Sequence, residues 1–153
     1  MQQQRSYYRW FIALFVAFAL AACAELGLER NDPIVLDSDL LFDFGQADLK
    51  PEGVRQIEQY VPLIKARGET WIEVRGHTDR IGSKQANDRL SLQRAESVRR
   101  VLIANGLDPE RIRARGLGSR NPVVECVDQP RQALIDCLAP NRRVTIDVRQ
   151  VDW

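Results

Sequence analysis

From about residue 39 onward, apolar residues recur in turn at spacings of two and of three to four. Those two periods predict strands alternating with helices. Asp39 to Phe44 (DLLFDF) reads as a short apolar strand, and Gly45-Gln46 turns the chain. Pro51 suits the first turn of a helix, and Val54, Ile57, Val61 and Ile64 lay one apolar stripe along it. Pro62 falls inside that stripe and predicts a kink or a break, and Gly68 ends the helix. In Thr70 to Arg75, Ile72 and Val74 alternate with Glu73 and Arg75, which predicts a strand with one dry face. A second helix is predicted from Lys84 to Asn105, with Leu90, Ala95, Val98 and Leu102 on its apolar side and Asn105-Gly106 as its terminator. Ile112 and Ala114 alternate with Arg111, Arg113 and Arg115 in a third strand. Val144, Ile146 and Val148 do the same in a fourth, Arg143 to Val148. The order is βαβα-β-insert-β. With one dry face per strand, the expected fold is an α/β two-layer sandwich, both helices on one face of a mixed four-stranded sheet.

The start of the chain follows another pattern. Arg5 and Arg9 precede an unbroken apolar run from Trp10 to Cys23, and no acid appears before Glu25. The run is short of the roughly 20 residues that span a bilayer, but it fits the apolar centre of a secretory signal. It ends in Leu20-Ala21-Ala22-Cys23, which resembles a bacterial lipoprotein cleavage box. The resemblance implies a signal peptide over 1–22, export, and lipidation at Cys23. An uncleaved signal anchor is the alternative. Ala24, rather than Asp, resembles the sorting signal for the outer membrane. Residues 24–38 show no sustained period and contain Asn31-Asp32-Pro33, so 23–38 is expected to be a lipidated tether and 39–153 the folded domain.

Composition narrows the function. At 153 residues the chain suits one domain, and its 28% charged and 44% hydrophobic content rules out wholesale disorder. A net charge of +1 argues against bulk capture of nucleic acid. Only Lys50, Lys65 and Lys84 among the 22 basic residues are lysine, and arginine's planar fork favours specific grips on carboxylates. Cys126 and Cys137 lie eleven apart in the insert. In an exported protein that pair reads as a disulfide, with zinc as the alternative, although His77 is the only histidine. No cofactor and no metal are expected.

The richest stretch runs from strand two into Gly76-His77-Thr78-Asp79-Arg80-Ile81-Gly82, then into the helix bearing Asn87 and Arg94. An acid and an arginine held close together match a zwitterion, the carboxylate taking an ammonium and the guanidinium a carboxylate. Equally, Asp79 caps its loop or pairs with Arg94 and binds nothing; the spacing alone does not decide. A Ser-His-Asp set drawn from Ser83 or Ser91, His77 and Asp79 lacks a nucleophile-elbow sequence, so no enzyme is expected.

Several of these segments follow a known order. Phe42-Asp43-Phe44 precedes Leu49-Lys50-Pro51-Glu52-Gly53, and Gly76-His77-Thr78-Asp79 is followed by Gly82, Asn87, Leu90-Ser91 and Arg94-Ala95. Gly106, Gly116-Leu117-Gly118, Pro122 and Asn141-Arg142-Arg143-Val144 complete the series. From Leu41 to Val148 the chain resembles the OmpA-like peptidoglycan-binding domain, a family that also occurs in peptidoglycan-associated lipoproteins and flagellar stator subunits. The resemblance implies non-covalent binding of the free diaminopimelate end of a peptidoglycan stem peptide. It carries the family's acid onto Asp79 and its arginine onto Arg94. Phe44 and Gly45 fall where backbone contacts are made, Asn87 and Leu90 line the groove, and Arg142 lies near it. Arg80 follows Asp79 at a position where the family varies. The implied protein is an outer-membrane lipoprotein whose domain faces the periplasm and links membrane to wall. The alternative is an interaction subunit of an envelope complex that chiefly contacts other envelope proteins.

Overall fold

The computed structural model describes residues 32–127 and 129–150. The expected signal peptide, the expected lipidation site Cys23 and most of the expected tether lie outside the described residues. Strand β1 is Ile34–Asp37, helix α1 Ser38–Leu41, α2 Pro51–Ala66, β2 Thr70–Gly76, α3 Lys84–Ala104 and β3 Ile112–Gly116; the insert carries α4, Arg131–Cys137, and β4 is Arg143–Gln150. The sheet order is β1-β4-β2-β3. β2 and β3 run parallel, whereas β4 is antiparallel to both β1 and β2, so the sheet is mixed as expected.

The first strand departs from the sequence reading. Residues 39–41 are helical, and Phe42 makes only an isolated bridge to Leu49. The strand lies earlier, at Ile34–Asp37, within the stretch expected to be tether, where it pairs with Ile146 back to Arg143. Asp37 then caps α1, accepting from the Asp39 amide at 2.8 Å. Pro62 does not break α2, which runs unbroken to Ala66. It lies on the exposed side of the helix, away from the core.

Ile57, Val61 and Ile64 of α2 and Ala95, Val98 and Leu102 of α3 are buried against Leu36, Ile72, Val74, Ile112, Val144, Ile146 and Val148. Val54 and Leu90, read as core positions, are only half-buried. Each full burial of such an aliphatic chain is worth about 1.5–3 kcal/mol. The other sheet face is wet and charged, with Arg115 on Glu73 at 3.2 Å and Arg75 on Asp147 at 3.4 Å.

One end of the sheet is built for close approach. A Cβ on Gly76 would overlap the Ser91 carbonyl, and one on Gly116 would meet the backbone of Asp88 and Leu92. Glycine at both positions lets α3 lie directly on the ends of β2 and β3. The chain leaving β2 therefore emerges beside the first half of α3.

Candidate functional site

Beyond Gly76 the chain is held on both sides. The His77 amide donates to Arg143 O and the Thr78 amide to Gly118 O, each at 2.9 Å. Asp79 then bends the loop, its Oδ1 accepting from the Ile81 amide at 2.8 Å. Asn87 Nδ2 donates to the Asp79 and Ile81 carbonyls, at 3.1 and 3.2 Å, and so ties the loop to α3. Ser83 caps that helix through the Ala86 amide.

Arg94, midway along α3, is 3% exposed. Its Nε donates to Gln46 O at 2.9 Å and its guanidinium lies 5.0 Å from the centre of the Phe42 ring. Three residues on, Ser97 Oγ donates to Ala47 O at 2.6 Å, so α3 holds the loop that follows α1. Burial pulls the Arg94 pKa below the ordinary arginine value; Asp39 opposes this, Arg142 adds to it, and Asp79 opposes it.

Asp79 does not pair with Arg94. Its Oδ2 accepts from Arg142 Nη1 at 2.8 Å. Arg142 also grips Asp39 in two-pronged fashion, Nη2 to Oδ2 at 2.7 Å and Nε to Oδ1 at 3.0 Å, and donates from Nη1 to Ile135 O at 3.1 Å. The hydrogen bonds that Arg142 donates to Asp39 raise its pKa against the cost of burial, with Asp79 adding to it. In return, Arg142 holds the Asp39 carboxyl below its usual range despite partial burial.

These groups surround one cleft of about 120 Å³. Every groove residue expected from the sequence lines it: Phe44, Gly45, Asp79, Asn87, Leu90, Arg94 and Arg142. Phe44 stands 94% exposed at its rim, followed by Gly45 at φ 71°. Asp39, Thr78, Ile81, Arg131 and Ile135 also line the cleft and were not expected there. Asp39 was assigned to a strand and Arg131 and Ile135 to an insert, and no local pattern marks any of them as facing the loop after β2. The Arg131 and Asp39 charges were the only available signal.

Arg80 points elsewhere, its Nη2 donating to Cys126 O at 3.0 Å. His77 is buried without a partner for Nδ1, while Ser91 Oγ bonds Asp88 O and the Gly118 amide, so no Ser-His-Asp relay is assembled. Burial, with Arg143 and Arg75 adding to it, pushes the His77 pKa down to about 4. Cys126 and Cys137 form a disulfide rather than a zinc site. The cleft carries charge-paired donors and acceptors, which suits recognition of a small ion pair.

A model described as the OmpA family matches residues 41–134. Outer membrane protein A of Atlantibacter hermannii is 47% identical over 121 residues, covering 76% of this chain and 50% of that protein. The same protein of Salmonella typhi is 46% identical over 121 residues, covering 76% and 35%. The chain thus spans about half, or less, of the curated relatives it matches. Among solved structures, the periplasmic domain of Helicobacter pylori MotB is similar at a TM-score of 0.65 and 26% identity, covering 82% of this chain and 87% of that one. The peptidoglycan-associated lipoprotein from Burkholderia pseudomallei is similar at 0.61 and 26%, covering 75% and 89%.

Proposed function

The chain belongs to the OmpA family, and on that footing we propose that it is an outer-membrane lipoprotein linking membrane to wall. Its domain is of the OmpA-like, peptidoglycan-binding type and is not an enzyme. In this reading the ligand is the free diaminopimelate end of a stem peptide, held without covalent chemistry. Cys23 carries the lipid, and the domain faces the periplasm.

The observation that carries the reading is the separation of Arg94 from Asp79. A guanidinium 3% exposed has its Nε bonded to a backbone carbonyl, yet no carboxylate lies within ion-pair distance of it among the described residues. Burying a cation is costly; Asp39 and Asp79 offset that cost only in part and through space, and a ligand carboxylate relieves the rest. Across the same cleft, Asp79 keeps lone pairs beyond those used by Ile81 and Arg142, and these suit an ammonium. Phe44, Gly45, Asn87 and Leu90 enclose the ligand's carbon chain.

Co-sedimentation with diaminopimelate-type peptidoglycan tests this. Asp79→Ala and Arg94→Ala are each expected to lose about one to two decades of affinity, the worth of a charge-assisted bond. Wall whose stems carry lysine lacks the second carboxylate and should be bound more weakly. Folded alanine variants that pellet as well as the parent would overturn the proposal.

A further inference from the structure

The charges around the cleft do not cancel. Arg94, Arg131 and Arg142 line it against Asp39 and Asp79, leaving one positive charge in surplus. Arg142 is bonded to both acids. A zwitterionic ligand end adds one charge of each sign, so the surplus survives its binding. Arg131 is bonded to no carboxylate among the described residues and projects from α4, outside the family-type acid and arginine.

The insert is more than a decoration in this respect. Arg131 and Ile135 are four apart on α4, so they share one helix face, and both line the cleft. The Ile135 carbonyl accepts from Arg142 Nη1, which joins α4 to the network that holds Asp79. At the end of the same helix, Cys137 is bonded to Cys126. Both ties hold the second half of α4, and Arg131 stands one turn before them.

Resting on the function proposed above, we infer that Arg131 provides a subsite for a second carboxylate of the stem peptide. Diaminopimelate has carboxyls at both ends of its carbon chain. When it terminates the stem, the one remote from the zwitterion is free. The neighbouring D-glutamate also carries a free carboxylate. Either one supplies the extra negative charge that matches the surplus, and a guanidinium on an accessible helix face can meet it with two parallel hydrogen bonds. The cleft thereby favours stems rich in free carboxylates over amidated ones.

The test measures binding of the full-length lipidated chain, in detergent, to three stem tripeptides: the free acid, the amide at the terminal diaminopimelate carboxyl, and the amide at the D-glutamate carboxyl. Arg131→Gln should weaken binding of the free acid about two- to fivefold, as suits an exposed charge pair. One of the amides should weaken wild-type binding equally, and the variant should lose nothing further on that amide; which amide does so identifies the carboxylate. Arg131→Lys should recover part of the loss. If wild-type protein binds all three and Arg131→Gln matches it on each, the subsite is overturned while the site stands. Equal loss by the variant on all three also overturns it. Wild-type protein that binds none overturns both.

Discussion

Arg142 reaches Asp79 Oδ2 at 2.8 Å, although 63 residues separate them in the chain. Arg94, which the sequence sets on the helix after the Asp79 loop and offers as its partner, makes no such bond. The Asp79 carboxylate is thus oriented by Arg142 and not by Arg94. Arg142 is itself oriented by Asp39, so the cleft contains a chain of charges, Asp39–Arg142–Asp79, with Arg94 beside it.

Arg94→Lys is expected to keep the fold and lose most of the binding. A lysine ammonium preserves the charge but cannot bond the Gln46 carbonyl and a ligand carboxylate through separate prongs of one plane. Isothermal titration with a stem tripeptide should show a loss near that of Arg94→Ala. Wild-type affinity in the lysine variant would mean that charge alone suffices.

Asp39→Asn should loosen Arg142 and weaken binding about three- to tenfold without touching either residue of the family pair. Because Arg142 holds the Asp39 pKa below its unfolded value, the ion pair stabilises the fold above the usual carboxylate range. That contribution is lost as pH falls through the lowered folded value. Urea midpoints measured from pH 7 to pH 3 should therefore fall less steeply in Asp39→Asn than in the parent.

His77 acts in a different window. Its pKa in the fold is about 4 against 6.5 for the free side chain. Between those values the unfolded chain takes up a proton that the native protein refuses, so stability falls as pH drops from 6.5 to 4. The loss amounts to roughly 3 kcal/mol. His77→Gln should flatten this part of the profile, and a proton NMR titration should place the imidazole midpoint well below 6.

Gly76→Ala should be among the most damaging small substitutions. The added Cβ meets backbone, the Ser91 carbonyl, and no rotamer change can relieve it. A cost of about 3 kcal/mol or more is expected in urea unfolding. Since β2 runs directly into His77-Thr78-Asp79, variants that still fold should also bind wall poorly.

Removing the disulfide should separate stability from binding. The loop between Cys126 and Cys137 is short, so the Cys126→Ala, Cys137→Ala double variant is expected to lose at most about 3 kcal/mol and to remain folded. The helix it releases carries Arg131 and the Ile135 carbonyl of the cleft, so affinity for a stem peptide should fall as well. Unchanged affinity in the folded variant would show that α4 keeps its place without the bond.

The strands β2, β3 and β4 and the helices α2 and α3 were legible in the chain because each buries one face and so repeats its own period. The residues around Asp79 were named through the family resemblance, because the spacing of Asp79 and Arg94 by itself left a ligand site and an internal pairing equally open. The first strand was not legible. Ile34–Asp37 becomes a strand only because β4 offers its edge, and β4 lies more than a hundred residues downstream. Its four residues are too few to announce a period, whereas Leu40, Leu41, Phe42 and Phe44 form the more apolar run and attracted the assignment. The pairing of Asp79 was equally hidden. Any of several arginines could balance one carboxylate, and nothing in the order of residues ranks Arg142 above Arg94. Sequence therefore determined β2, β3, β4, α2 and α3 and the kinds of group available to the site. Tertiary structure decided which charges meet, because ion pairing depends on distance in space, and the fold brings Asp39, Asp79, Arg131 and Arg142 together from four separate segments.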